Sequence, residues 1–135
     1  MLPAGDREFH PRPIDLAGLR PGAVNARDVG DGVTVVVIAD GPRITVIRDV
    51  CPHMGGPLSE GAYCSKDKTL QCPWHGYVFS TETGEFRANP IDPSWDRVKA
   101  HCRSYKPANA PRYRLPILEH ELRGGRVYVR RAGAR

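Results

Sequence analysis

The sequence predicts an all-β fold, and three observations carry that prediction. Thirteen prolines and fourteen glycines among 135 residues cut the chain into pieces too short for long helices. A β-branched apolar run, Val33-Thr34-Val35-Val36-Val37-Ile38-Ala39, is followed by a turn at Asp40-Gly41-Pro42 and by the alternating Arg43-Ile44-Thr45-Val46-Ile47-Arg48, which together read as a β-hairpin. Near the other end, residues 115–122 and 126–130 flank Arg123-Gly124-Gly125, a second hairpin signal.

In chain order, the first thirty residues contain Pro3, Pro11, Pro13 and Pro21 and little periodicity beyond Ile14, Leu16 and Leu19. They are expected to form an extended N-terminal lead-in (1–30) with loose ends, leaving 31–135 as a single domain. After the first hairpin, short strands are expected at 62–64, 69–71, 77–80 and 85–87, with Thr81-Glu82-Thr83-Gly84 as the turn between the last two. Residues 88–114 are long for a connection in a small domain and read as a loop or insertion with room for one short helix. In that helix Asp92 would be the cap and Pro93 the first position, with Trp95, Val98 and Cys102 on one face.

Composition sets the class. A chain with 40% hydrophobic and 26% charged residues, and no apolar run of bilayer length, reads as one water-borne domain with no membrane partner. The N-terminus Met1-Leu2-Pro3-Ala4-Gly5-Asp6-Arg7 carries no export signal, so a cytoplasmic location is expected. The formal charge of +5 is scattered and comes with no nucleic-acid-reading motif, so a solvated surface is favoured over nucleic-acid binding. Four cysteines without an export signal argue against a disulfide framework.

The informative text is Cys51-Pro52-His53-Met54-Gly55-Gly56-Pro57-Leu58 and Cys72-Pro73-Trp74-His75-Gly76-Tyr77, with eighteen residues between His53 and Cys72. Each segment supplies one thiolate and one imidazole. Two of each could close a tetrahedral zinc site, or divide between two irons with both thiolates on one and both imidazoles on the other. A Cys-x-His pair is unusual for structural zinc, whose ligand pairs usually leave two or more residues between them.

Both segments, extended as Cys-Pro-His-Met-Gly-Gly-Pro-Leu-Ser-Glu-Gly and Leu-Gln-Cys-Pro-Trp-His-Gly-Tyr-Val-Phe-Ser, resemble the cluster-binding loops of the Rieske [2Fe-2S] family. The likeness is to its bacterial ferredoxin and oxygenase type. The resemblance covers roughly residues 30–87 and 115–130 and implies an all-β domain of small antiparallel sheets, with two cluster-binding loops at one end and one cluster per chain. It implies Cys51 and Cys72 on the buried iron and His53 and His75 on the outer one. The interval between the loops is slightly longer than is commonest in the family, which is assigned to a turn at Ser65-Lys66-Asp67-Lys68. Gly55, Gly56 and Gly76 would let backbone approach the cluster sulfides, Met54, Pro57 and Trp74 would exclude water, and Met54, Gly55, Pro57, Trp74 and Tyr77 would form an apolar docking rim. High-potential relatives add a cysteine to each loop, joined as a disulfide, and a cluster-bonding serine. This chain has Gly56, Trp74 and Tyr77 at those places, which places its potential low in a range of roughly −150 to +300 mV.

The same resemblance implies a function. A Rieske oxygenase needs a further iron held by two histidines and a carboxylate, and the residues after the second loop lack two closely spaced histidines with an acidic partner. No glycine-rich dinucleotide fingerprint is present either. The expectation is a non-catalytic one-electron carrier, a Rieske ferredoxin, that passes electrons from a reductase to a terminal oxygenase or similar enzyme and is a monomer when free. The alternatives are a Rieske subunit fixed in a larger complex, with 88–114 as its interface, and a zinc-bound structural module. Cys64 and Cys102 are expected to be buried free thiols, and His10, His101 and His120 to have surface or core roles.

Overall fold

The computed structural model describes residues 8–52, 55–73, 76–88 and 114–131. Its strands are β1 (Ile14–Asp15), β2 (Asn25–Gly30), β3 (Val33–Asp40), β4 (Arg43–Arg48), β5 (Ala62–Cys64), β6 (Thr69–Gln71), β7 (Val78–Ser80), β8 (Phe86–Ala88), β9 (His120–Arg123) and β10 (Arg126–Val129). They form three small sheets, ordered β1-β10-β9, β2-β3-β4 and β5-β6-β7-β8, with every neighbouring pair antiparallel. Helical structure among the described residues is limited to single 3₁₀ turns at Leu16–Gly18 and Leu58–Glu60, and among those residues no helix is long and apolar enough to cross a membrane. The all-β fold of small antiparallel sheets is therefore the observed one.

β3 explains the architecture. Its apolar run is nearly unbroken because both of its faces are buried, the pattern expected of a strand covered on two sides. Val36 and Ile38 join Ile47, Leu58, Leu70, Phe79 and Leu115 in one core, together with Cys51 and Cys72. Val35 and Val37, on the alternate face, join Ile14, Leu19, Val29, Val46, Val127 and Val129 in the other. The β2-β3-β4 sheet thus lies between the β5–β8 sheet and the sheet of the chain ends.

Three turns set its registers. Asp31 and Gly32 between β2 and β3 both have positive φ (59° and 72°), as do Gly124 and Gly125 between β9 and β10 (55° and 78°), the geometry that matches strand twist in two-residue hairpins. Gly41 (φ 59°) with Pro42 joins Asp40 to its partner Arg43.

Two segments differ from the sequence expectation. Residues 8–30 are extended apart from the 3₁₀ turn at Leu16–Gly18, but they are tied down rather than loose. β1 pairs with β10, β2 pairs with β3, and Phe9 is 1% exposed. Phe9 sits against Tyr128 with ring centroids 6.2 Å apart and under the guanidinium groups of Arg123 and Arg130. These partners lie more than a hundred residues away, beyond the reach of local periodicity. The strand expected over 115–122 is also shorter, because Pro116 has no N–H for a ladder. Its carbonyl instead accepts the Arg48 N–H at 3.0 Å, and the Leu118 N–H donates to Val46 at 2.8 Å. Most of 88–114, with Asp92, Pro93, Trp95, Val98, His101 and Cys102, lies outside the described residues. Its flanks come together where Glu85 and Arg114 form a bridge.

The end of β3 is fastened to the β5–β6 turn by one carboxylate oxygen. Asp40 Oδ2 accepts from Lys68 Nζ (2.6 Å), the Tyr63 hydroxyl (2.6 Å) and the Ser65 hydroxyl (2.9 Å). Lys68 first, then Tyr63 and Ser65, pull the Asp40 pKa from 3.8 down to about 2. Burial first, then Asp40, pushes Tyr63 up to about 12. A depressed folded-state pKa gives stability that is complete above the unfolded value and lost as pH falls through the folded one. Acid titration followed by circular dichroism should therefore show wild type losing its advantage over Asp40→Asn between 3.8 and about 2. A difference independent of pH in that window would disprove the clamp.

Candidate metal centre

The first Cys/His segment leads from β4 of one sheet toward β5 of the next, and the second joins the neighbouring strands β6 and β7. Although their places in the topology differ, they close in the same way. In the first, the Cys51 N–H donates to the carbonyl of Gly56 at 2.8 Å and the Gly55 N–H donates back to the carbonyl of Cys51 at 2.8 Å. In the second, the Cys72 N–H donates to Tyr77 at 2.9 Å and the Gly76 N–H donates back to Cys72 at 3.1 Å. The offsets from each cysteine are identical. The returning residue is glycine both times because the backbone there is left-handed, φ 75° at Gly55 and 70° at Gly76, a region where a side chain is strained.

Each loop thus opens on a cysteine, and each cysteine is 2% exposed. Both belong to one apolar cluster with Leu58, Leu70 and Phe79, against which Tyr77 and Phe86 pack. The Tyr77 and Phe86 rings meet edge to face at 5.2 Å. The loops are in direct contact at their feet. Gly61, just beyond the first loop, lies so close to Gln71, just before the second, that a Cβ there would be 2.1 Å from the Gln71 carbonyl oxygen. Residues of both loop feet, among them Glu60, Gly61, Gln71 and Cys72, line a hollow of about 260 Å³.

The structure brings together Cys51 and Cys72 with their loop residues. Gly56 and Gly76 are buried, Pro57 and Tyr77 half-buried, and Gly55 exposed. His53, Met54, Trp74 and His75 lie outside the described residues. The interval between the loops contains the expected turn, residues 65–68, with Lys68 at φ 55°. Cys64 is exposed rather than buried. It ends β5 on the same side of the strand as exposed Ala62, and its Sγ is 3.7 Å from Asp67 Oδ2. His10 is 7% exposed with its Nδ1 2.9 Å from Asp31 Oδ2. Arg131 first and His10 second hold the Asp31 carboxyl below the usual range. His120 is half-buried in β9.

Sequence reading passed over two side chains at the loop feet. Asp49, two residues before Cys51, accepts the Ser59 N–H on Oδ1 and the Ser59 hydroxyl on Oδ2, both at 2.7 Å. Gln71, the residue before Cys72, donates from Nε2 to the carbonyl of Gly76 at 3.1 Å. Only their position beside the cysteines could have marked them.

The described half of the donor set fits an iron-sulfur cluster. Two thiols in a dry apolar pocket, on loops whose glycines bring backbone close, suit a soft metal centre.

Comparison with known proteins bears on the same residues. The Rieske [2Fe-2S] domain matches residues 14–106, and thus includes both loops. Cholesterol 7-desaturase of Caenorhabditis elegans is 32% identical over 57 residues, 42% of this chain and 13% of that protein, so this chain spans a small part of that relative's length. Among solved structures, the ferredoxin of carbazole 1,9a-dioxygenase from Nocardioides aromaticivorans IC177 superposes with a TM-score of 0.64 at 24% identity, over 88% of this chain and 97% of that one. The complex of reduced oxygenase and oxidized ferredoxin in carbazole 1,9a-dioxygenase contains a chain that superposes with a TM-score of 0.63 at 22% identity, over 88% and 90%. With the matched domain covering both loops and the buried thiols fitting its cofactor, the chain belongs to the Rieske [2Fe-2S] domain family and its cofactor is a Rieske-type [2Fe-2S] cluster.

Proposed function

We propose that this chain is a one-electron carrier of the Rieske ferredoxin kind, with Cys51 and Cys72 binding the inner iron and His53 and His75 the outer one. The observation that carries the reading is the pair of identically closed loops, each opening on a buried cysteine and enclosing one histidine. The cluster, when bound, supplies a reversible one-electron change. The chain's own residues hold it and keep water away: Leu58, Leu70 and Phe79 beneath the thiols, and Gly55, Gly56 and Gly76 as backbone that approaches closely. Met54, Pro57, Trp74 and Tyr77 form the rim on which a redox partner docks, in the brief, small-area contact typical of electron transfer.

A reductase as donor and a terminal oxygenase as acceptor are the partners this reading assigns, supported by the ferredoxin–oxygenase complex whose ferredoxin chain has this fold. The carrier is non-catalytic and monomeric when free. We place it in the cytoplasm, where an exposed thiol such as Cys64 stays reduced. Low-temperature EPR of the dithionite-reduced protein, beside iron and acid-labile sulfide analysis, tests the centre: a rhombic signal with two irons per chain is expected, and a colourless zinc protein would overturn it.

The desaturase relative favours a second reading, in which this domain works fixed beside a catalytic one. Size-exclusion chromatography of the natural assembly separates the two, since a shuttle elutes as a small free protein.

A further inference from the structure

We propose that Asp49 and Gln71 are positioning residues for the cluster ligands, each bracing one loop from the stretch just before its cysteine. The inference rests on the ligand reading above and adds to it a pair of side chains outside the ligand set.

In the first loop the brace is an anion. The Asp49 N–H is anchored to the carbonyl of Thr34 in β3 at 3.0 Å, and its two carboxylate oxygens take the backbone and hydroxyl protons of the single residue Ser59. Gripping one residue at two points fixes both distance and rotation, and the ring so closed contains Cys51 and His53. Charge-assisted bonds of this kind are about twice as strong as neutral ones.

In the second loop the brace is a neutral donor. The Gln71 amide holds the carbonyl of Gly76, while the Gly76 N–H is already bound to Cys72, so that glycine is held on both its polar groups. The ring from 71 to 76 contains Cys72 and His75. Two unlike side chains, one or two residues ahead of the cysteines, thus each hold one of two loops that share a closure. Neither belongs to a hydrophobic core, so their loss loosens ligand geometry while leaving the packing beneath the thiols in place.

The test compares purified holoprotein of wild type, Asp49→Ala, Asp49→Asn, Ser59→Ala and Gln71→Leu. The readouts are EPR g-values of the reduced state, the rate of bleaching in air, and the melting of the fold. Asp49→Ala should shift the g-values and bleach about tenfold faster, the loss expected for hydrogen bonds to a charged acceptor. Asp49→Asn, which keeps an oxygen for the Ser59 N–H and a polar partner for its hydroxyl but loses the charge, should fall between wild type and Asp49→Ala. Gln71→Leu and Ser59→Ala each lose one bond and should bleach about threefold faster; they carry the test if Asp49→Ala yields no holoprotein. Wild-type g-values and bleaching in both single-bond variants would overturn the bracing role and leave the cluster reading intact. Wild type without iron and sulfide would instead defeat the cluster reading.

Discussion

Cys72→Ser should yield a colourless protein without bound iron or sulfide, whereas Cys64→Ser should keep both and its full visible spectrum. The contrast follows from where the two thiols sit. Cys72 is 2% exposed, packed among Leu58, Leu70 and Phe79, and its backbone closes the second loop through Tyr77 and Gly76. A serine there offers a hard hydroxyl in place of a soft thiolate, which iron-sulfur ligation does not accept readily. It also buries a polar group, at a cost of about 1–3 kcal/mol if it stays unpaired. Because that cost is a fraction of a typical stability of about 5–15 kcal/mol, the variant should remain folded. Loss of colour with retained β-sheet circular dichroism would then report the ligand and not the fold. Cys64 lies exposed at the end of β5, away from both loops in sequence, and its hydroxyl analogue still faces solvent. Iron and sulfide retained in Cys72→Ser would remove Cys72 from the ligand set.

What the sequence reveals depends on how local the cause is. The β3–β4 and β9–β10 hairpins and the short strands from 62 to 88 are legible because alternation and turn chemistry sit within a few residues. β2 was equally local, since Asp31-Gly32 is among the strongest two-residue hairpin signals. The prolines before it drew the reading toward a lead-in instead. β1 and the Phe9 packing are different in kind: their partners, Val127, Tyr128 and Arg130, come from the far end of the chain, and no window contains both. The cysteines were legible because their chemistry repeats in two contiguous loops. The shared closure of those loops, four and five residues past each cysteine, is a backbone fact that composition hides behind Gly56 in one loop and Tyr77 in the other. The exposure of Cys64 was misjudged by residue type alone, whereas its strand, alternating exposed, half-buried, exposed, follows the period-two rule.

Phe79→Ala should lower unfolding stability by about 4 kcal/mol, as large-to-small changes at fully buried aromatic sites do. Phe79 is 0% exposed, pairs across the sheet with Leu70, and meets the Phe86 ring edge to face at 5.8 Å, so its loss removes contacts from the floor under both cysteines. Val127→Ala, at an equally buried site in the opposite core, should cost less, about 2 kcal/mol. Both changes act through β3, whose two faces supply the two cores, and both lower the midpoint of urea unfolding. Only Phe79→Ala borders the thiols, so only it should also hasten bleaching of the cluster at temperatures where both variants remain folded. Bleaching that rises in Val127→Ala as well, in proportion to each variant's loss of stability, would mean that global stability alone, and not the packing beneath the loops, governs how the centre is kept.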